Sequence, residues 1–151
     1  MKTILLVEDE ALIAMSEAQM LKKHGYGVLT AYNSQNAIET VNEKHIDLIL
    51  MDIDLGPAKM DGTEAAEIIL EDHDIPIVFL TSHTEKEIVD KVKGITRYGY
   101  VVKNSGEFVL LESINMAFEL FNANQNTRER EERYRSLFFN NHSPMLLIRP
   151  H

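Results

Sequence analysis

The chain has 151 residues, of which 44% are apolar and 26% charged, a balance typical of a folded domain and not of a disordered chain. Its formal net charge of −9 argues against the basic surface of a nucleic-acid-binding domain. The absence of cysteine excludes disulfides and thiolate metal sites and suits a cytoplasmic protein. Acids follow the short N-terminal apolar run, so we expect no signal peptide. No apolar run approaches the roughly 18 residues of a membrane span, so we expect no membrane contact.

Five short apolar runs predict β-strands, and the segments between them have helical spacing. In the first such segment Leu12, Met15, Ala18 and Leu21 recur at three-residue steps, and Gly25 fits the helix end. This alternation predicts a doubly wound α/β domain, flavodoxin-like, with a parallel sheet of strand order 2-1-3-4-5 and an extended C-terminal helix. The apolar runs are residues 3–9, 25–31, 47–52, 75–81 and 98–103.

Polar residues mark the starts of the middle helices. Ser34 is the expected N-cap of the second helix. Asp61 and Glu64 have the spacing of a capping box before the third helix, and Thr84 and Glu87 have it before the fourth. Each of these pairs would satisfy backbone N–H groups that a helix start leaves without partners.

Polar side chains also stand where the predicted strands end: Glu8 and Asp9, Asp52, Thr81 and Lys103. Because the carboxyl ends of parallel strands meet at one edge of a sheet, these side chains should converge there. Clustered carboxylates repel one another, which favours a hard divalent cation such as Mg²⁺, while the lysine offers a charge for an anion. The set is typical of phosphoryl transfer, in which Asp52 can act as the nucleophile.

The segments "LLVEDE", "LILMDI", "FLTS" and "YVVK" resemble the receiver domain of two-component response regulators, over about residues 1–121. The resemblance implies that Asp52 accepts a phosphoryl group from a phosphohistidine of a histidine kinase or phosphotransfer protein. It also implies that Mg²⁺ is held by Asp9, Asp52 and the backbone carbonyl of Asp54, with Glu8 acting through water.

The same resemblance assigns Lys103 to the phosphate and Thr81 to a switch that reorients toward it. Tyr100 matches the switch aromatic that turns inward with Thr81, although an ordinary half-buried strand residue is the alternative. The Asp54 side chain and His83 are candidates for modulating attack by water on the phosphate. The domain would assist its own phosphorylation and dephosphorylation without being an enzyme in the usual sense.

Two features depart from the usual receiver pattern. Asn104 follows Lys103 where the family usually has proline, so we expect no cis peptide there and a last helix capped by Asn104 or Ser105. The loop at residues 54–62, "DLGPAKMDG", is longer than usual, a form associated with receivers attached to sensor kinases and PAS modules. The loop geometry and the output switch therefore remain open.

The character of the chain changes after Phe121. Residues 122–133 have almost no apolar side chains, and their charges pair at helical spacing, which predicts a helical signalling linker over 122–136. Residues 137–151 resemble the truncated start of a PAS domain, so the output would be an attached PAS or kinase module or another output module. Homodimerisation through the later turns of the last helix stays open. The packed face of that helix is predicted to comprise Leu111, Ile114, Phe118 and Phe121.

Two rival functions remain. "DIDLG" resembles the Asp-x-Asp motif of haloacid-dehalogenase phosphatases, which would make Asp52 a hydrolase nucleophile, but those proteins carry the motif on their first strand. The second rival is a pseudo-receiver, a phosphate-independent interaction module. The intact set of acids, Thr81 and Lys103 argues against it, while Asn104 leaves it open.

Overall fold

The computed structural model describes residues 1–55, 60–82, 85–96 and 98–140, with the side chains of the last helix described as far as Thr127. Within these residues five strands alternate with five helices. The strands are β1 (Thr3–Val7), β2 (Gly27–Ala31), β3 (Leu48–Asp52), β4 (Ile77–Thr81) and β5 (Tyr100–Val102). The helices are α1 (Ala11–Lys23), α2 (Ser34–Glu43), α3 (Gly62–Asp72), α4 (Lys86–Ile95) and α5 (Glu107–Asn140).

The strands form a parallel sheet in the order β2-β1-β3-β4-β5, which confirms the predicted flavodoxin-like topology. Every residue of β3 and β4 is buried, because helices cover both faces of the sheet centre. Alternate strand residues face opposite sides and build two cores. Leu5 and Met51 pack with residues of α2, α3 and α4, whereas Ile4 and Leu50 pack with residues of α1 and α5.

The buried face of α1 differs from the three-residue series seen in the sequence. Ala14, Ala18 and Leu21 are buried, whereas the side chains of Leu12 and Met15 are 81% and 56% exposed. The reason is geometric: an α-helix has about 3.6 residues per turn, so each three-residue step falls about 60° short of a full turn. Leu12 and Leu21, three steps apart, therefore lie on opposite sides of the helix.

The N-cap of α2 is Asn33 and not Ser34, so this prediction is wrong. The Asn36 backbone N–H donates to Asn33 Oδ1 at 2.8 Å. Ser34 is instead the first helical residue, and its buried hydroxyl donates to the Met60 carbonyl at 2.8 Å. Ser34 thereby ties the start of α2 to the segment that precedes α3.

The capping box of α3 is confirmed. The Glu64 backbone N–H donates to Asp61 Oδ1 at 3.0 Å, and the Asp61 backbone N–H donates to Glu64 Oε1 at 3.5 Å. At α4 the N-cap is Glu85, one residue later than the box predicted with Glu87 requires. Thr84, the capping residue of that box, lies outside the described residues.

The start of α5 also differs from the prediction, because neither Asn104 nor Ser105 caps it. The Gly106 carbonyl accepts the first helical hydrogen bond, from the Leu110 backbone N–H at 3.2 Å. Asn104 adopts a left-handed conformation with φ of 66°, which asparagine tolerates better than most residues, and Gly106 has φ of 106°. The Ser105 backbone N–H closes this turn by donating to the Val102 carbonyl at 3.2 Å.

The chain divides into two compact units, Met1–Phe118 and Glu119–His151, and helix α5 has residues in both. In the first unit its buried residues are Leu110, Ile114, Ala117 and Phe118, with Leu111 partly buried against the same core. In the second unit the described part is the continuation of this helix, which includes the predicted linker 122–136. None of the described helices is long and apolar enough to cross a membrane.

Gly62, at the start of α3, lies directly against the end of β3. A Cβ at this position would lie 2.0 Å from the Asp52 carbonyl oxygen and 3.1 Å from Ile53 Cα. The Gly62 backbone N–H donates to the Ile53 carbonyl at 3.1 Å, so backbone meets backbone here. A larger residue must therefore displace the strand end that carries Asp52.

We predict that Gly62→Ala lowers the free energy of unfolding by about 3 kcal/mol, because overpacking against a backbone atom cannot be relieved by rotating a side chain. Urea denaturation measures the effect. The matched control is Gly94→Ala in α4, where a Cβ would meet no atom within 4 Å. Loss of backbone freedom in the unfolded chain should make that variant about 0.5–1 kcal/mol more stable. Equal effects of the two substitutions would contradict the close approach at Gly62.

Candidate functional site

The register of the central strands makes Glu8 and Asp52 neighbours. Val7 of β1 pairs with Met51 of β3, and the acids come next in the chain: Glu8 directly follows β1, and Asp52 is the last residue of β3. Both acids are buried, with exposures of 1% for Glu8 and 0% for Asp52, whereas Asp9 is exposed. The two side chains therefore sit at the carboxyl-end edge of the sheet, as predicted from the strand ends.

The neighbouring strands bring Thr81 and Lys103 to the same edge. Thr81, the buried last residue of β4, pairs with Val102 of β5. The Lys103 backbone N–H continues this ladder by donating to the Thr81 carbonyl at 2.8 Å. Parallel pairing thus brings Thr81, the last residue of β4, and Lys103, the residue after β5, to the edge of the sheet at which β3 ends in Asp52.

The Lys103 ammonium lies close to both buried acids, Asp52 and Glu8. Its Nζ donates to Asp52 Oδ2 at 2.8 Å and lies 3.7 Å from Glu8 Oε2. Burial lowers the pKa of Lys103, but its hydrogen bond to Asp52 and the negative charges of Asp52, Glu8 and Asp54 outweigh burial and raise that pKa. The lysine is therefore a permanent positive charge on the candidate nucleophile.

The other oxygen of Asp52 is held by the turn that follows β3. The Asp54 backbone N–H donates to Asp52 Oδ1 at 3.0 Å, while the Asp54 side chain is exposed. Both Asp52 oxygens thus have a partner, which compensates for the burial of the carboxylate. The assignment of the Asp54 carbonyl to a cation stays a prediction.

Glu8, Asp9 and Asp52 form an acidic group in which one carboxylate oxygen from each residue lies within 4.8 Å of the others. Oxygen donors at this separation, with one of them exposed to water, fit a hard divalent cation that keeps part of its hydration shell. Glu8 Oε2 is buried and has no hydrogen-bond partner among the described residues, and the Lys103 ammonium 3.7 Å away is shared with Asp52. The donor set present fits Mg²⁺.

The protonation of Glu8 reflects its burial beside Asp52. Burial, a hydrogen bond shared with Asp52 and the Asp52 charge together raise the pKa of Glu8 to about 8, with Lys103 opposing them. In the absence of a cation, Glu8 is therefore mainly protonated at neutral pH. A buried acid pair that keeps one proton avoids placing two charges side by side.

The remaining predicted residues are placed as follows. Tyr100 opens β5, pairs with Phe79 and is partly buried against the core under α2, α3 and α4. Its role as a switch, with Thr81, stays a prediction, and His83 lies outside the described residues. The structure brings together Glu8, Asp9, Asp52, Thr81 and Lys103.

Two residues that bear on this site were not predicted from the sequence. Gly62 is one, because its close approach to the Asp52 carbonyl is visible only in the folded structure and leaves no pattern in the sequence. Glu17 of α1 is the other: it is partly buried, and its Oε2 has no hydrogen-bond partner among the described residues. Glu17 lies three residues after Ala14 and four before Leu21, so the correct helical face would have revealed an acid on the buried side.

We predict that the raised pKa of Glu8 makes the protein less stable as the pH rises. Between the unperturbed value of 4.5 and about 8, the folded protein holds a proton that the unfolded chain has released. The free energy of unfolding, measured in urea with a chelator, should fall from pH 5.5 to 8. The neutral variant Glu8→Gln should show a shallower fall, and an unchanged slope in that variant would contradict the assignment.

Comparisons with known proteins point to one protein family. The family model described as response regulator receiver domain matches residues 4–115. The transcriptional regulatory protein PdtaR of Mycobacterium tuberculosis is 32% identical over 121 residues, which cover 80% of this chain and 58% of PdtaR. A protein-glutamate methylesterase/protein-glutamine glutaminase of Archaeoglobus fulgidus is 34% identical over 115 residues, 74% of this chain and 32% of that protein. The chain thus spans less than two thirds of either relative.

A solved structure gives the same picture. The N-terminal domain of a response regulator/sensory box/GGDEF three-domain protein from Carboxydothermus hydrogenoformans is 44% identical, with a TM-score of 0.75. The similarity covers 82% of this chain and 98% of that domain. The family model, these relatives and the strand order lead to one conclusion: the chain belongs to the response regulator receiver domain family.

Proposed function

We propose that the chain is the phosphoacceptor module of a two-component pathway. Asp52 would take a phosphoryl group from a phosphohistidine on a histidine kinase or phosphotransfer protein. One observation carries the proposal: the Lys103 ammonium lies 2.8 Å from Asp52 Oδ2, beside an acidic group that fits a divalent cation. Membership of the receiver family supports the same assignment.

The chemistry needs one bond to form and one to break. A carboxylate oxygen of Asp52 attacks phosphorus, and the N–P bond of the donor breaks with its electron pair left on the imidazole. A donor imidazole that carries a proton on its other nitrogen then leaves neutral. Lys103 is placed to pair with a transferred phosphoryl oxygen, and the Asp54 N–H holds Asp52 in position.

Glu8, Asp9 and Asp52 supply carboxylate oxygens for Mg²⁺ in this proposal, with the Asp54 carbonyl as a further ligand and Glu8 acting through water. When bound, Mg²⁺ would neutralise negative charge on the phosphoryl oxygens. Glu8 has a pKa of about 8 without a cation, so it would release its proton as the cation binds.

The switch would follow from the new charge. A phosphoryl group on Asp52 carries nearly two negative charges and replaces the single charge of the carboxylate beside Thr81, whose hydroxyl would turn toward it. Tyr100 would then turn inward and alter the surface around α4 and β5. In this proposal the module works in the cytoplasm, is not an enzyme in the usual sense, and signals to an attached PAS or kinase module or another output module.

We predict that acetyl phosphate adds one phosphoryl group to the protein in a Mg²⁺-dependent reaction, measured by intact mass. Asp52→Asn should abolish the addition because it removes the nucleophile. Asp54→Asn, which removes a neighbouring exposed acid, is the matched control and should still be labelled. Lys103→Ala should slow labelling about 10²-fold, the usual effect of losing one preorganised charge.

The other outcomes separate the rival functions. A folded wild-type protein that is never labelled would contradict the proposal and favour a phosphate-independent interaction module. Repeated turnover of a phosphate ester that depends on Asp52 would instead identify a hydrolase.

A further inference from the structure

Glu17 lies close to the proposed site without belonging to its acidic group. Glu17 and Lys103 line the same pocket, of about 360 Å³, between α1 and the segment that follows β5. Apolar side chains, among them Ile13, Leu80 and Leu110, form much of the remaining wall. An acid placed in such surroundings needs a cationic or hydrogen-bonding partner.

The Glu17 carboxylate is only partly satisfied by the described residues. Its Oε2 is buried and has no hydrogen-bond partner among the described residues. Burial raises the pKa of Glu17, the positive charge of Lys103 opposes this effect, and the Asp52 charge adds to it. Lys103 is thus a positive charge that favours the ionised form of the Glu17 carboxylate.

In the structure Lys103 is paired with a carboxylate oxygen of Asp52, the residue that acts as nucleophile in the proposed reaction. Lys103 Nζ lies 2.8 Å from Asp52 Oδ2 and 3.7 Å from Glu8 Oε2. A cation or phosphoryl group that binds Asp52 at Oδ2 must compete with this ion pair. The four-carbon stem of lysine is flexible, so the ammonium can move while the backbone stays paired with Thr81.

We propose that Glu17 is a second acceptor for the Lys103 ammonium, which exchanges between Asp52 and Glu17 as the cation and phosphoryl group enter and leave. The inference rests on the proposed phosphoacceptor function. Glu17 touches neither the phosphoryl group nor the cation, so it is a positioning residue that acts through Lys103. With Glu17 as an alternative acceptor, the Lys103 ammonium leaves Asp52 more easily, and the cation or phosphoryl group can then bind Asp52 more easily.

The substitution Glu17→Gln keeps the shape of the side chain and removes its charge. Lys103 should then stay on Asp52 and compete more strongly with the cation. We predict that the Mg²⁺ dissociation constant rises about three- to tenfold, within the range of couplings between interacting charged residues. Isothermal titration calorimetry of the full chain at constant ionic strength, without a phosphoryl donor, measures this constant.

A double-mutant cycle with Lys103→Met tests whether Glu17 acts through the lysine. In the Lys103→Met background, Glu17→Gln should change the Mg²⁺ dissociation constant less than about twofold. The same factor in both backgrounds would show a direct effect of the Glu17 charge on the cation and would overturn the proposal. An unchanged constant in Glu17→Gln alone would also overturn it.

Glu107→Gln is the matched control, because Glu107 lines the same pocket but is exposed and pairs with His24 at 2.7 Å. Its Mg²⁺ dissociation constant should stay within about twofold of wild type, as expected for an exposed ion pair. An effect as large as that of Glu17→Gln would overturn the specific role of Glu17.

The Lys103 ammonium can also be observed directly by NMR of its ¹⁵N nucleus. Adding Mg²⁺ should shift this resonance in the wild type, and the shift should be at least halved in Glu17→Gln. Equal shifts in both proteins would overturn the exchange of acceptors. A wild-type protein that binds no Mg²⁺ would instead overturn the proposed function itself, so the two failures are distinguishable.

Discussion

The arrangement of the site depends on the burial of one carboxylate, that of Asp52. A carboxylate removed from water is tolerated only when cations or hydrogen-bond donors compensate for the lost hydration. Lys103 and the Asp54 N–H provide this compensation, one on each oxygen. Glu8, buried beside Asp52, is not compensated in the same way and keeps a proton instead. The group therefore has more acids than one lysine can balance, which is the condition that a divalent cation relieves.

Strand register and close backbone packing hold Asp52 in its buried position beside Glu8 and Lys103. Parallel pairing places Glu8 beside Asp52 and sets Lys103 next to Thr81, although these residues are far apart in the chain. Gly62 lets the start of α3 touch the end of β3, which fixes the backbone that carries Asp52. The backbone at the strand ends is thus held by pairing and close packing, while the long side chain of Lys103 has the rotatable bonds that allow its ammonium to move. A rigid nucleophile with a mobile counter-charge suits a site that must accept and release an anion.

The sequence predicted the features that follow from local rules. Short apolar runs predicted the strands, and the rule that parallel strands end at one edge predicted the residues that meet there. Contacts between distant residues were missed. Ser34 and Asn33 are equally good caps, and the choice depends on the Ser34 bond to Met60, 26 residues away. Glu17 was missed because the three-residue series indicated the wrong face of α1. The roles of Thr81 and Tyr100 rest on resemblance to the family, since geometry alone does not assign a switch.

Fluorine NMR of beryllofluoride is the most direct test of the central claim, that Asp52 is a phosphoacceptor compensated by Lys103 and a divalent cation. The beryllofluoride group stands in for a transferred phosphoryl group and does not hydrolyse as an acyl phosphate does. If the claim is correct, the wild type with Mg²⁺ gives a protein-bound fluorine signal, which disappears with a chelator and in Asp52→Asn. A folded wild-type protein that gives only the free signal at saturating Mg²⁺, or a bound signal that survives in Asp52→Asn, would contradict it.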